Sequence, residues 1–147
     1  VEVGKALGVY PYSKEIESAD GSIMMVVATD APLEARNLER LAKRAFMGMA
    51  KTGGVASNGS GDFVIAFSTA DSMRVEHNAP AFTKQTMDVV RNNDMTPLFM
   101  AAIEATEEAI INSLFAAHDT PTHDGRVIKA LPMDKVLELL REYKKIA

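Results

Sequence analysis

Residues 51–63, KTGGVASNGSGDF, hold the densest set of side chains able to do chemistry in this 147-residue chain. Gly53, Gly54, Gly59 and Gly61 are interleaved with Ser57, Asn58, Ser60 and Asp62. Glycine lets the backbone approach a ligand closely and take up positive φ. Ser60 and Asp62 stand two apart, and in extended backbone that spacing puts both side chains on one face. A hydroxyl beside a carboxylate can serve as a relay to a nucleophile. The same composition suits a tight hairpin turned on Asn-Gly and Gly-Asp, and turn formation is its commoner use. A phosphate-binding loop matches less well, because the Walker lysine is missing and the glycine spacing differs.

Other chemistries have less support. The chain has no cysteine, which excludes disulfides, thiolate metal sites and a cysteine nucleophile. The histidines are His77, His118 and His123. His118 and His123 stand with two aspartates in HDTPTHD, a set that could bind a metal. Its spacing matches no established zinc pattern, so a solvated loop is the expectation and no metal or cofactor is called for. No serine sits in a G-x-S-x-G elbow, so a serine–histidine–aspartate triad is unsupported. The nine methionines read as core filler.

A second stretch raises a question of its own. In ESADGSIMMVVATDAPL, residues 17–33, the turn Ala19-Asp20-Gly21 runs directly into Ser22 and then into the apolar run Ile23 to Ala28. A serine thus stands between a glycine and a strand that reads as buried.

The elements that must position these residues alternate in type. Ser22 to Thr29 reads as a strand, short and β-branched, with turn residues on both sides. Thr29-Asp30-Ala31-Pro32 reads as a helix start, with a capping side chain and a proline in the first turn. Leu38, Leu41, Ala42, Ala45, Phe46 and Met49 form one helix face, stopped by Gly53-Gly54. Phe63 to Thr69 is a second buried strand, and 70–94 is a long polar connection. Thr96-Pro97 opens an alanine-dense helix expected to pack close to a neighbour. Residues 118–126 read as a loop and Val127 to Leu131 as a short strand. Pro132 opens a last helix with Val136, Leu137, Leu139, Leu140 and Tyr143 on its apolar side. Strands alternating with helices imply a layered α/β domain.

Composition sets outer bounds. Apolar residues make up 47% and charged residues 24%, an ordinary globular balance with material for a core. The net charge of −4, with dispersed lysines and arginines, argues against a nucleic-acid surface. No apolar run is long enough to span a bilayer, so no membrane partner is expected. Val1-Glu2-Val3-Gly4 carries neither the basic nor the apolar region of a signal peptide.

The blocks GSIMMVVATDAPL, TGGVASNGSGDFVIAFSTA, EATEEAIINSLFAA and GRVIKALP together resemble the C-terminal part of the DmpA-type peptidases. These are the L-aminopeptidase/D-amidase/D-esterases and the β-peptidyl aminopeptidases. The resemblance runs from about Gly21 to the end of the chain. It implies a layered α/β/β/α sandwich akin to the N-terminal-nucleophile hydrolases, with different strand connectivity. It also implies a precursor that cleaves itself between a Gly and a Ser, here Gly21 and Ser22, so that Ser22 becomes an N-terminal nucleophile. That would explain a serine at the head of a strand. A free α-amine, with a pKa of about 8 in peptides, is partly neutral at pH 7 and can shuttle a proton. By the same resemblance Ser60 would share a hydrogen bond with Ser22, Asp62 would polarise Ser60, and Asn58 is a weaker candidate for orienting the site.

Residues 1–21 would then be the tail of the precursor's N-terminal part, and 22–147 the C-terminal part, together forming part of one domain. The rest of the N-terminal part would supply the oxyanion hole and much of the substrate pocket. The expected enzyme removes an N-terminal residue from short peptides, amides or esters through an acyl-enzyme. It would be a cytoplasmic homo-oligomer of cleaved heterodimers that needs no cofactor. Two alternatives stand beside it. One is an acyltransferase like the ornithine acetyltransferases, which share the fold but use Thr as nucleophile. The other is a non-catalytic assembly domain.

Overall fold

The computed structural model describes residues 3–8 and 21–146. Of the segment expected to be the tail of the N-terminal part, residues 9–20 lie outside the described residues. The chain divides into two compact units, one of residues 21–109 and one of residues 1–20 with 110–147.

The first unit is built on a β–α–β arrangement. Strand β1 (Met24–Thr29) and strand β2 (Phe63–Ser68) are hydrogen-bonded neighbours, and helix α2 (Ala35–Lys51) lies between them in sequence. The strands run parallel, with Met24 opposite Phe63 and Thr29 opposite Ser68. A parallel pair needs a crossover rather than a hairpin, and α2 provides it. The hairpin reading of residues 51–63 is therefore overturned, since that stretch joins a helix to a parallel strand.

Burial in both strands alternates with period two. One face carries Met25 and Val27 from β1 with Val64 and Ala66 from β2, and α2 packs against the pair. The other face carries Met24, Val26, Phe63, Ile65 and Phe67, all exposed.

Helix α2 buries Asn37, Leu41, Ala45, Gly48 and Met49, a stripe at spacings of one, three and four. It begins at Ala35, later than the Thr29–Pro32 start expected from sequence. Those residues have other partners. The Thr29 hydroxyl accepts from the Ala31 N–H at 3.1 Å, the Ala31 carbonyl accepts from the Ser68 hydroxyl at 2.7 Å, and the Pro32 carbonyl accepts from the Val90 N–H at 3.1 Å. Leu33, only 1% exposed, anchors this linker in the core with Leu41, Met95 and Ala102. At the other end Gly53 takes φ +99°, and the Thr52 and Gly53 N–H groups cap the Met49 and Ala50 carbonyls.

Helix α3 (Thr96–Ala116) meets α2 at Gly48. A Cβ there would lie 2.6 Å from the Ile103 carbonyl oxygen and 2.7 Å from Thr106 Cβ. The close packing expected of an alanine-dense helix is thus observed. Arg44 and Arg40 of α2 also lie over the Phe99 ring, 4.0 and 4.9 Å from its centre.

In the second unit, α1 (Val3–Ala6) lies against α4 (Met133–Glu142), whose Val136 is buried. A small antiparallel ladder pairs β3 (Thr120–Pro121) with β4 (Val127–Ile128). The expected loop 118–126 therefore contains one strand, and the expected strand over Val127–Leu131 shortens to two residues. Asp119 accounts for the shortening: its carboxylate accepts from the Ala130 N–H at 2.9 Å and pairs with Lys129 at 2.6 Å.

Candidate active site

The register of the parallel ladder builds the site. Met24 pairs with Phe63, so continuing two residues upstream in both strands sets Ser22 beside Gly61 and Ile23 beside Asp62. Strand β1 begins at Met24 rather than Ser22, because the backbone pairing gives way there to side-chain bonds. The last backbone rung runs from the Phe63 N–H to the Ile23 carbonyl at 3.0 Å. Beyond it, the Ile23 N–H donates to Asp62 Oδ1 at 3.1 Å, and the Gly61 N–H donates to Ser22 Oγ at 3.0 Å.

Ser60 and Asp62 share a face as their spacing implied. The Ser60 hydroxyl donates to Asp62 Oδ1 at 2.7 Å. One carboxylate oxygen therefore accepts from both a side chain of the glycine-rich loop and the backbone just after Ser22. With its hydrogen committed to Asp62, Ser60 Oγ is left as an acceptor. The implied Ser22–Ser60 hydrogen bond is not among those of the described residues, and Ser22 Oγ instead meets Gly61. Ser22 is exposed, while Ser60 and Asp62 are half-buried.

Turn chemistry is also present in this loop. The Ser60 N–H donates to the Ser57 carbonyl at 2.9 Å, which closes a turn over Asn58 and Gly59. Asn58 is exposed, and no hydrogen bond ties its side chain to Ser22, Ser60 or Asp62. Sequence reasoning singled out Ser22, Ser60 and Asp62 but missed the backbone donors of Gly61 and Ile23. The signal for Gly61 was its place between Ser60 and Asp62.

His77, His118 and His123 are exposed. The aspartates of HDTPTHD are engaged locally, Asp119 with Lys129 and Asp124 with Thr122 and Arg126. Among the described residues no group of three or more His, Cys, Asp or Glu could hold a metal ion. No helix among them is long and apolar enough to cross a membrane.

A glycine-rich loop that brings a hydroxyl and a carboxylate to a serine at the head of a parallel strand defines a hydrolase-like α/β scaffold. The profile of peptidase family S58 matches residues 1–128, and the chain belongs to that family. It is 42% identical over 132 residues to the beta-peptidyl aminopeptidase BapA of Sphingosinicella microcystinivorans, covering 90% of this chain and 33% of that protein. Among solved structures it is similar to the PH0078 protein of Pyrococcus horikoshii OT3, with a TM-score of 0.80 and 44% identity over 97% of this chain and 37% of that one. It is also similar to the L-aminopeptidase D-Ala-esterase/amidase of Ochrobactrum anthropi, with a TM-score of 0.73 and 34% identity over 84% of this chain and 34% of that one. The latter is described as a prototype serine aminopeptidase and a new variant of the Ntn-hydrolase fold. The α/β fold class and the resemblance to DmpA-type peptidases therefore hold. The chain spans about a third of the length of the relatives it matches.

Proposed function

We propose that this chain belongs to a self-processing serine aminopeptidase or amidase, with Ser22 as nucleophile after cleavage of the Gly21–Ser22 bond. The observation that carries the reading is the hydrogen-bonded cluster of Ser22, Gly61, Ser60 and Asp62 at the head of β1 and β2, in a chain of this peptidase family. In self-cleavage, Ser22 Oγ bonds to the Gly21 carbonyl carbon and the peptide C–N bond breaks. The nitrogen takes the hydroxyl proton and becomes a free α-amine. Water then hydrolyses the ester, leaving a Gly21 carboxylate and the Ser22 hydroxyl.

Turnover repeats the chemistry on substrate. Ser22 Oγ bonds to the scissile carbonyl carbon while its proton passes through the Ser22 amine to the departing amine nitrogen. Water then releases the acid from the acyl-enzyme. Ser60, oriented by Asp62, offers an acceptor to the Ser22 hydroxyl or amine as the proton moves. Donors for the oxyanion and the walls of the pocket come from the rest of the precursor. The relatives' names point to the N-terminal residue of short peptides, amides or esters as substrate. The working form is an assembly of cleaved heterodimers.

The test is expression of the full-length precursor, followed by mass analysis and N-terminal sequencing. Two pieces are expected, the smaller starting at Ser22, and Ser22→Ala should stay whole. A fully intact but active wild-type chain overturns the reading.

A further inference from the structure

We infer that Gly61 is a positioning residue for the nucleophile, acting through its backbone N–H and through the absence of a side chain. The inference rests on the reading of Ser22 as nucleophile. Two independent observations carry it. The Gly61 N–H donates to Ser22 Oγ at 3.0 Å across 39 residues of sequence. A Cβ built on Gly61 would stand 3.2 Å from Ser22 Oγ, 3.9 Å from Ser22 Cβ and 3.7 Å from the Phe63 ring. The first contact is tighter than an oxygen and a carbon ordinarily hold, so Oγ would have to give by a few tenths of an ångström, which lengthens and bends the N–H bond.

A backbone donor suits this task because the ladder fixes it. The Phe63–Ile23 rung lies two residues on, so the Gly61 amide cannot swing away as a side chain can. The N–H occupies one lone pair of Oγ and holds the side chain in one staggered well. The hydroxyl hydrogen and the second lone pair stay free for the base and the carbonyl carbon. As Oγ gains negative charge during attack, and again as it departs from the ester, the same bond strengthens, since hydrogen bonds to charged acceptors are roughly twice as strong as neutral ones. A preorganised donor aimed at developing charge contributes to rate more than to binding. Position 61 thus favours glycine, which supplies the N–H without a Cβ to crowd Oγ.

The test uses two variants of the full-length precursor. Gly61→Ala adds the Cβ. Replacing Gly61 with glycolic acid turns its amide into an ester, which removes the N–H and adds no bulk. Each is measured for kcat and KM on an aminoacyl amide, for its pH–rate profile, and for the rate at which a sulfonyl fluoride labels Ser22. Both variants should lose about 10- to 100-fold in kcat and in labelling rate, with KM within about twofold. The glycolate variant should keep the wild-type pH midpoint while losing rate, since the titrating base is the Ser22 amine and the Gly61 N–H meets Oγ. Wild-type labelling and turnover in the glycolate variant overturn the inference, even if Gly61→Ala fails to fold. Labelling of wild-type protein at some residue other than Ser22 overturns the underlying proposal instead.

Discussion

Ser60 and Asp62 have separable duties. Ser60 donates to Asp62 and keeps its oxygen as an acceptor, while Asp62 also holds the backbone at Ile23. Ser60→Ala removes the hydroxyl and leaves the Ile23–Asp62 bond. Its kcat should fall about 10²–10⁴-fold, roughly 3–5 kcal/mol of barrier, with little change in KM. Asp62→Asn keeps the shape, and its amide oxygen can accept the same two bonds without the charge, so a loss in the same range is expected. Under the proposed self-cleavage both need assay after processing, since slow processing would mimic slow turnover. Near-normal kcat in cleaved Ser60→Ala would reduce the loop to a turn. Asn58→Ala, on an exposed turn, should leave kcat within about threefold of wild type.

At the scale of elements, the contact between α2 and α3 is the most exacting. Gly48→Ala brings a methyl within 2.6 Å of a backbone oxygen, and backbone cannot rotate aside. Alanine raises helix propensity by about 1 kcal/mol over glycine, but overpacking of this kind costs about 1–3 kcal/mol and here outweighs it. A lower denaturant midpoint is expected, and an unchanged or higher one would show that the helices can part freely.

The β3–β4 hairpin carries a pH dependence. Lys129, helped by the Ala130 N–H, holds the Asp119 carboxyl below its usual range. The Thr122 hydroxyl, with Arg126, does the same for Asp124. A carboxylate whose folded pKa is depressed stabilises the fold above its unfolded pKa, and that contribution is lost as pH falls through the folded value. The side-chain carboxyl NMR shifts of Asp119 and Asp124, and the amide shift of Ala130 beside Asp119, should therefore show a carboxylate drift centred below the ordinary carboxylate range. In Asp119→Asn the part of that drift around Lys129 and Ala130 should vanish.

Across the whole molecule, the outer face of the β1–β2 pair is the feature that most needs explaining. Phe63 is 62% exposed and Val26 61%, with Met24, Ile65 and Phe67 beside them. A contiguous apolar sheet face in water marks a surface that something covers. The chain spans about a third of its relatives' length, so the remainder of the protein is the expected cover. The 147-residue chain alone should bind the dye anilinonaphthalene sulfonate strongly, and the full-length protein should not. Ile65→Lys in the full-length protein should block assembly and self-cleavage together, although it lies three residues beyond Asp62. Normal processing of Ile65→Lys would mean that this face stays open to solvent.

Local pattern alone was enough for much of this. Short apolar runs bounded by turn residues specified both strands, the three-and-four spacing specified α2, and Gly53-Gly54 stopped it, because each is written in neighbouring residues. That one face of the strand pair is exposed was not legible from the runs. The Ser60–Asp62 pair was legible for the same reason, since a two-residue spacing in extended chain leaves one geometry. The start of α2 was not legible. Thr29 to Pro32 has the composition of a cap, but Ser68 and Val90, far away in sequence, claim its carbonyls. The join between Ser22 and the glycine-rich loop was likewise decided by tertiary structure. It depends on parallel register, which no local pattern encodes, and a slip of one residue would put the neighbouring backbone groups opposite Ser22. Only that register sets the Gly61 N–H on Ser22 Oγ and the Asp62 carboxylate on the Ile23 N–H.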